Sequence, residues 1–442
     1  MAEIFPFRAY RYNLNQAELS DVVTQPYDKI TPQMQERYFA ASPYNLISIE
    51  KGKSLPGDSA TDNVYTRAAK TLDRWIRDEV MLRDALPGIY FYFQEYTVPG
   101  TSERRTRKGF IALGRVEDYS ANVVFRHEQT LSGPKADRLE LLRHTRTHTG
   151  QLFMLYTDPQ RRIDALMDRV AAGSSSLEAT DEYGVSHRLW PVFDANLINE
   201  VARVMSSQKL VIADGHHRYE TALAYRDECR RSAGSADRQA PYEKAMMTFV
   251  NTRSEGLVIL PTHRLVSNLP SFDPAAFRRK ISAAFDEEDY SFGSESARHV
   301  AFERFHRDLV AGGEKARVLG MYTGGAFTIL RLRSEANLEK LMPGVPRAQR
   351  QLDVVLLHKL LLEDGLGITQ AAVTKEQNIT YEREIDAAIN AVDQKRAQIS
   401  FLLNPVSVDK VMEMALAGEV LPQKSTDFYP KLLSGLTLYR ID

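Results

Sequence analysis

Apolar positions along the chain recur at two spacings, one typical of helices and one typical of strands. In residues 59–82, Val64, Ala68, Leu72 and Ile76 recur every four residues and predict a helix. The runs "GIYFYFQEYTV" and "TRKGFIALGRV" are rich in aromatic and β-branched residues, and the turn-rich "PGTSERR" between them predicts a hairpin. Helices and strands follow no strict βαβ order, so the pattern predicts an α/β (α+β) fold with mixed sheets and flanking helices.

The second half of the chain repeats this mixture of elements. "RVLGMYT" and "AFTILRLR" predict another hairpin, and the "GSSS" stretch within 171–186 predicts a linker or exposed loop. Helices are predicted near 273–284, 294–310, 351–363, 383–396 and 407–417. We expect three regions. Residues 1–170 form an N-terminal α/β region with the "HEQT" and "SGPK" loops, and residues 171–266 form a core region that bears "ADGHHR". Residues 267–442 form an additional C-terminal α/β region that closes on "PQKST".

Composition narrows the class of protein. The 442 residues are 43% hydrophobic and 26% charged with a net charge of -1, as in soluble globular proteins. This charge balance argues against a polybasic protein that binds nucleic acid or a membrane surface. The single cysteine, Cys229, rules out an intrachain disulfide and a cysteine-based zinc site. The N-terminus lacks the apolar segment of a signal peptide, so we expect a cytoplasmic protein.

The densest functional chemistry lies in "KLVIADGHHRYETALAYRDE", residues 209–228. An apolar run predicts a buried strand, followed by the turn Asp214-Gly215 and a helix. Asp214 suits a simple helix cap, because carboxylates accept the free N–H groups of a helix start. The same helix start also favours anions, and His216, His217 and Arg218 add three donors that suit a phosphate. In that case Asp214 orients a histidine, positions a hydroxyl or holds a cation such as Mg²⁺.

A second candidate stretch is "FRHEQTLSGPKADRLELLRHTRTHTG", residues 125–150. His127 and Glu128 end an apparent strand, and a Gly-Pro turn leads into a helix. Hydroxyl and basic side chains of the turn and helix suit a polyanion, although a solvated basic helix shows the same composition. The spacing is not that of a Walker loop. The residues predicted to bind phosphate or nucleotide here are His127, Ser132, Lys135, Arg143 and Arg146.

A third candidate is "LPQKSTDFYPKLLSGL", residues 421–436. A short loop before the last strand places lysines beside hydroxyls: Lys424, Ser425, Thr426, Tyr429 and Lys431. This grouping suggests contact with an anion. A proline-punctuated closing loop could show the same composition by chance, and the residues alone leave both interpretations open.

Eight stretches in a fixed order resemble the domain-of-unknown-function family 1015. They are "PFRAYRYN", "QPYDKI", "SPYNLI", "HEQTLSGPKADRLELLR", "IADGHHRYETALAYRDE", "LPTHRLV", "FLLNP" and "LPQKSTDFYPKLLSGL", and they run nearly from end to end of the chain. The "ADGHHR" segment is also similar to an element of the ParB/sulfiredoxin-like superfamily, whose members bind nucleotides at a strand-turn-helix corner. The resemblance therefore implies a ParB/sulfiredoxin-like element within the fold.

Within that superfamily, these motifs are similar to those of the archaeal free-serine kinases, which carry a "PHE" motif and a "DGHHR" corner. The resemblance implies that Glu128 and Asp214 are catalytic carboxylates and that His216, His217 and Arg218 meet phosphates. The match departs from the kinase pattern in two respects. Arginine replaces the proline of the first motif, and the interval between the two motifs is longer here.

These observations predict a small-molecule phosphotransferase that acts on serine or a related amino acid. Its cofactors would be Mg²⁺ and a nucleotide, ADP or ATP. The alternatives are a phosphoserine phosphatase-type hydrolase and a non-catalytic nucleotide-binding regulator. If the kinase-like interpretation holds, Glu128, Asp214 and His217 should surround one cleft, with the Lys135 loop and Lys424 on its rim.

Overall fold

The computed structural model describes residues 1–128, 133–234 and 236–442, which form two compact units. The first unit contains Met1–Val258 and Phe428–Asp442, and the second contains Ile259–Asp427. Both units combine helices with sheets, so the α/β class predicted from the apolar pattern is confirmed. Among the described residues, no helix is long and apolar enough to cross a bilayer.

The first unit is built on one large sheet. Its strands are β1 (Ile4–Phe5), β4 (Ile89–Thr97), β5 (Arg104–Arg115), β6 (Val124–Phe125), β8 (Leu152–Tyr156), β9 (Leu177–Thr180), β10 (Ser186–Val192), β11 (Leu210–Asp214) and β12 (Lys244–Asn251). Smaller pairings use β2 (Tyr10–Tyr12), β3 (Met81–Arg83), β7 (Thr147–His148) and β21 (Tyr439–Arg440). Its helices are α1 (Leu19–Val22), α2 (Pro32–Ala41), α3 (Ile47–Glu50), α4 (Val64–Arg77), α5 (Gly133–Thr145), α6 (Arg162–Ala171), α7 (Ala195–Met205) and α8 (His216–Ala233).

The large sheet has the order β6-β11-β8-β12-β5-β4-β10-β9, with β1 paired to β5. It is mixed: β11 is parallel to β6 and β12 to β8, whereas the other pairs are antiparallel. The predicted hairpin is β4–β5, and stacked rings such as Phe110 and Phe249, 5.0 Å apart, fill the core beside it. Because β10 pairs with β4, the predicted regions 1–170 and 171–266 share this one sheet.

Two local predictions needed adjustment at their ends. The helix predicted over 59–82 is α4, which begins after Asn63 because that side chain accepts the N–H groups of Tyr65 and Thr66. The loop predicted over 171–186 contains the edge strand β9, whose residues alternate between buried and exposed. The buried face of this four-residue strand has only Leu177 and Ala179, and the flanking sequence is polar, so the apolar signal was too short to predict its pairing with β10.

The second unit is organised around an antiparallel six-stranded sheet with the order β15-β17-β16-β19-β14-β18. These strands are β14 (His263–Val266), β15 (Phe285–Ser291), β16 (Val318–Tyr322), β17 (Ala326–Leu332), β18 (Ile379–Glu382) and β19 (Ile399–Leu402). The helices are α9 (Pro274–Ile281), α10 (Glu295–Gly313), α11 (Leu338–Leu341), α12 (Asp353–Leu356) with a wide π-helical continuation (Leu357–Gly365), α13 (Gln370–Thr374), α14 (Ile385–Asp393) and α15 (Val408–Leu416). The chain passes between the units in β13 (Val258–Leu260) and β20 (Asp427–Tyr429).

Candidate functional site

Two parallel strands bring the predicted carboxylates to the same edge of the sheet. β6 pairs with β11 in a register that sets Phe125 opposite Val211. Glu128 and Asp214 each follow three residues later, and the carboxyl ends of neighbouring parallel strands meet at one edge. His127 confirms this proximity: its Nε2 lies 4.0 Å from Oε2 of Glu128, and the charge of Asp214 acts on its pKa. Glu128 and Asp214 therefore adjoin the same imidazole.

Helix α8 begins at this edge. Gly215 precedes it with φ of 92°, a left-handed backbone conformation that glycine adopts readily and that turns the strand into the helix. Helix α5 packs alongside in the same direction, since Lys135 lies 3.9 Å from Glu220 and Arg143 pairs with Glu228, eight residues further along each helix. The N-terminal ends of both helices, which carry partial positive charge, therefore lie at the same end of the pair.

Asp214 is surrounded by positive charge. Its Oδ1 accepts the N–H of Gly215 at 2.8 Å, and its Oδ2 accepts the Nζ of Lys431 at 3.1 Å. Burial by itself raises the pKa of Asp214, but Lys431, Arg218 and Lys29 outweigh burial and hold that pKa well below its usual range. The carboxylate is thus ionised throughout the neutral range and can only accept hydrogen bonds.

Two buried histidines, His127 and His216, have a lowered pKa and are neutral at neutral pH. His127 is fully buried, donates its Nδ1–H to the carbonyl of Ile212 at 2.6 Å, and has a pKa lowered by burial to about 4. Its ring lies 4.8 Å from that of His216. Burial and the neighbouring His127 likewise hold the pKa of His216 well below its usual range. Since Nε2 of His216 is buried without a hydrogen-bond partner among the described residues, it is available to a ligand.

Arg218, the third residue of α8, lies against two glycines, Gly150 and Gly215. A Cβ on Gly150 would lie 2.6 Å from its Nη1, and a Cβ on Gly215 would lie 3.4 Å from its Nε, so both glycines leave the guanidinium room to approach. Within the part of the chain that the structure describes, its Nε has no hydrogen-bond partner. Its charge also acts on Tyr27, in the "QPYDKI" stretch, where burial raises the pKa to about 12. The N-terminal stretch therefore adjoins this side of the site.

A buried polar network holds the segment that carries Lys431. The carbonyl of Lys431 accepts Nε2 of Gln94 at 2.8 Å, and the carbonyl of Pro430 accepts Nη2 of Arg107 at 2.5 Å. Arg107 also donates its Nε to Gln94 at 3.0 Å and stacks over Phe153 at 4.6 Å. Burial lowers the pKa of Arg107 to about 10, so the guanidinium remains charged at neutral pH. The network fixes the backbone from which Lys431 reaches Asp214.

Two predicted phosphate ligands, Arg143 and Arg146, lie far from the Asp214 end of α8. Arg143 forms ion pairs with Glu140 and Glu228, and Glu228 lies about 18 Å along α8 from its first residue, at about 1.5 Å per residue. Arg146 is exposed beyond the end of α5 and acts on Tyr225, also far along α8. The helix direction separates both arginines from the Asp214 end. Lys424, Ser425 and Thr426 belong to the second unit, and Ser132 lies outside the described residues.

The role of magnesium ligand for Asp214 stays a prediction, and the charges around this carboxylate are unfavourable to a cation. Its two oxygens are already engaged with Gly215 and Lys431, and three cationic side chains surround it. Among residues 1–128, 133–234 and 236–442, no group of three histidine, cysteine, aspartate or glutamate side chains is arranged to hold a metal ion. Mg²⁺ commonly binds through one or two carboxylates together with substrate phosphates, so no dedicated protein cage is required.

Lys29 and Arg107 are site residues that the sequence prediction did not include, whereas Lys431 stands in the third candidate stretch as a lysine beside hydroxyls. Lys431 and Lys29 lie within quoted motifs, "FYPKLL" and "QPYDKI", but those stretches offered no partner for them. Arg107 lies in the basic run 104–108 at the start of β5, where its neighbours are exposed or half-buried. No sequence pattern distinguishes this one fully buried arginine from the others.

The family model described as "Protein of unknown function (DUF1015)" matches residues 4–355. Comparison with curated proteins finds no significant match. Among solved structures, a conserved hypothetical protein from Pyrococcus furiosus is similar with 12% identity and a TM-score of 0.34, over 71% of this chain and 91% of that chain. A free serine kinase in complex with AMP has 10% identity and a TM-score of 0.36, over 72% and 88% respectively. SbnI with a C-terminal truncation, from Staphylococcus aureus, has 9% identity and a TM-score of 0.32, over 73% and 85%.

Proposed function

Because this chain belongs to the DUF1015 family, whose function is unknown, we propose its activity from the chemistry of the site: a phosphotransferase that acts on serine or a related amino acid with a nucleotide donor, ADP or ATP. One observation carries the proposal. Glu128 and Asp214 follow adjacent parallel strands, at the N-terminal end of helix α8, with Lys431 and Arg218 beside Asp214. Carboxylates and cations side by side are what transfer of a phosphoryl group to a hydroxyl requires.

The cationic side of the site suits the donor. Phosphoryl transfer depends mainly on positioning and on stabilising the charge of the equatorial oxygens. Arg218 and Lys431 supply positive charge, and the first N–H groups of α8 supply hydrogen-bond donors. Lys135, at the start of the parallel helix α5, extends this surface. When bound, Mg²⁺ would neutralise charge on the phosphates of the nucleotide, which would themselves provide most of its ligands.

The carboxylate side suits the acceptor. Glu128 is the group we assign to take the proton of the acceptor hydroxyl. Asp214 stays ionised, keeps Lys431 in place and can accept a hydrogen bond from the amino acid. His216 and His217 are assigned to phosphate oxygens, with His216 acting as a neutral hydrogen-bonding group rather than as a cation.

The test is turnover with defined partners. The purified chain is incubated with ADP or ATP, Mg²⁺ and each of a panel of amino acids, and phosphorylated product is measured by mass spectrometry. We expect product with serine or a close relative. Glu128→Gln and Asp214→Asn should each lower the rate at least 100-fold, in line with the usual contribution of a positioned acid–base group, about 10²–10⁴. Glu178→Gln, which changes an exposed glutamate on β9, is the matched control.

The outcomes separate the competing functions. Nucleotide binding without product from any acceptor would replace the kinase with a binding regulator. Release of phosphate from phosphoserine, without transfer from the nucleotide, would replace it with a hydrolase. If product forms at equal rates in the wild-type protein and the Glu128→Gln variant, and circular dichroism shows both folded, the assignment of Glu128 is wrong.

A further inference from the structure

The second unit encloses a cavity of about 220 Å³ that the proposed activity does not use. A single water needs only about 10–15 Å³ of such space, so the cavity has room for a small organic molecule. Part of its wall is aliphatic, and the rest is polar. Leu352, Val354, Leu403 and Val406 provide aliphatic surface, and the charged lining residues are Arg264, Arg317, Asp353 and Lys410.

Asp353 is an acceptor without a donor. Its Oδ1 is buried and has no hydrogen-bond partner among the described residues. A buried, unsatisfied polar group costs free energy unless a ligand or water satisfies it. Burial raises the pKa of Asp353 to about 6, even though the charge of Arg317 acts in the opposite direction. A cationic donor in the cavity would relieve this cost.

The basic side chains that line the cavity favour an anionic group in the ligand. Arg317 forms no hydrogen bond or ion pair through its guanidinium with any residue the structure describes, so it can receive an anionic group. Arg264 adds positive charge and is held in place by the carbonyl of Lys424, which its Nη2 reaches at 2.9 Å. Helix α15 begins at the same cavity, where Ser407 caps it by accepting the N–H of Lys410. A helix start also favours an anion.

We propose that this cavity binds a free α-amino acid with an apolar side chain. Its ammonium group would pair with Asp353, its carboxylate would meet Arg317 and the start of α15, and its side chain would lie on the aliphatic wall. An amino acid with an apolar side chain matches the acidic, the basic and the aliphatic parts of the lining together. An apolar carboxylate lacks the partner for Asp353, and an apolar amine lacks the partner for Arg317. This site lies wholly within Ile259–Asp427 and is independent of the function proposed for the first unit.

The test is calorimetric titration of the full chain with three matched probes. L-valine carries both charged groups, 3-methylbutanoate lacks the ammonium group, and isobutylamine lacks the carboxylate. We expect L-valine to bind at least tenfold more tightly than either half-probe. Asp353→Asn and Arg317→Gln should each weaken L-valine binding at least tenfold. The exposed pair Glu339→Gln and Arg347→Gln, outside the cavity lining, gives matched controls that should not change it.

Two results would overturn the proposal. One is L-valine binding no better than the half-probes to the wild-type protein, a comparison that needs no variant to fold. The other is undiminished binding in folded Asp353→Asn and Arg317→Gln. Loss of phosphotransfer in Asp214→Asn with L-valine binding retained would show that this cavity and the candidate catalytic site are separate. Loss of L-valine binding in Asp214→Asn would instead assign the probe to the first unit and contradict the proposal.

Discussion

Replacing Asp353 with asparagine should stabilise the protein, and more at neutral than at acidic pH. The ordinary pKa of the carboxyl is 3.8, and burial raises it to about 6 in the folded chain. Each pKa unit corresponds to about 1.36 kcal/mol, so the ionised carboxylate destabilises the folded state by about 3 kcal/mol once the pH is well above 6. Asparagine keeps the shape of the side chain and carries no charge to bury.

The direction with pH follows from the two pKa values. Below pH 3.8 the carboxyl is protonated in both the folded and the unfolded chain, and it imposes no cost. Between 3.8 and 6 only the unfolded chain ionises freely, so the cost grows as the pH rises. It amounts to about 1 kcal/mol at pH 4.5 and about 3 kcal/mol at pH 7.5. The advantage of Asp353→Asn should therefore increase by about 2 kcal/mol between those two conditions.

Urea unfolding at pH 4.5 and 7.5 measures this difference. Far-UV circular dichroism follows both units, whereas both tryptophans, Trp75 and Trp190, lie in the first unit. Tryptophan fluorescence therefore reports the unit that lacks the substitution and serves as an internal control. Glu339→Gln provides the matched loss of an exposed carboxylate. A stability difference between wild type and Asp353→Asn that is the same at both pH values would refute the reasoning.

Three further substitutions test the site in the first unit. Arg143→Gln should leave the Kd for ADP unchanged in calorimetry, because its guanidinium is paired with glutamates, whereas Arg218→Gln should raise that Kd at least tenfold. Gly150→Ala should weaken ADP binding in the same direction, because its Cβ would lie 2.6 Å from Nη1 of Arg218 and displace the guanidinium. Arg107→Met should lower the free energy of unfolding by about 1–3 kcal/mol, measured by urea unfolding with fluorescence detection, because buried acceptors lose their donor.

Each of these substitutions has a control in the chain. Gly57→Ala places a Cβ in open space and should leave ADP binding intact, and Arg104→Met changes an exposed arginine on the same strand as Arg107. Weaker ADP binding in Arg143→Gln would show that Arg143 contributes to phosphate binding after all. Tight ADP binding in Gly150→Ala would show that Arg218 does not contact the nucleotide. Equal stability of the Arg107→Met and Arg104→Met variants would remove the support we assign to the buried network.

The strand-turn-helix corner was the most predictable part of the site. The apolar run before Asp214 predicted a strand, and the structure has β11 at Leu210–Asp214 followed by α8 from His216. Gly215 adopts the backbone conformation that a glycine at such a turn makes accessible. Local sequence was sufficient here, because the polar side chains and the strand, turn and helix start that carry them lie within a few consecutive residues.

Long-range partners could not be predicted in the same way. Lys431 and Asp214 are 217 positions apart, and no local pattern connects them. The parallel direction of α5 relative to α8 could not be predicted from the sequence either. Arg143 and Arg146 are three residues apart, but α5 ends at Thr145 and Arg146 has a left-handed φ of 48°, so the two do not share a helical face. Parallel packing also puts Arg143 about 12 Å along α5 from Lys135, at about 1.5 Å per residue. Spacing suggests a shared face, whereas the helix end and tertiary packing decide which residues reach the site.

The return of the chain from the second unit has a consequence for synthesis. Phe428–Asp442 belongs to the first unit, yet these residues leave the ribosome only after all of Ile259–Asp427. Until then the nascent first unit lacks Lys431, and Asp214 lacks the partner that engages its Oδ2. The large sheet of the first unit is encoded before the second unit, but the charge arrangement around Asp214 is complete only after the second unit has been synthesised. The proposed site therefore depends on translation through the second unit, although no residue of that unit contributes the Lys431–Asp214 pair.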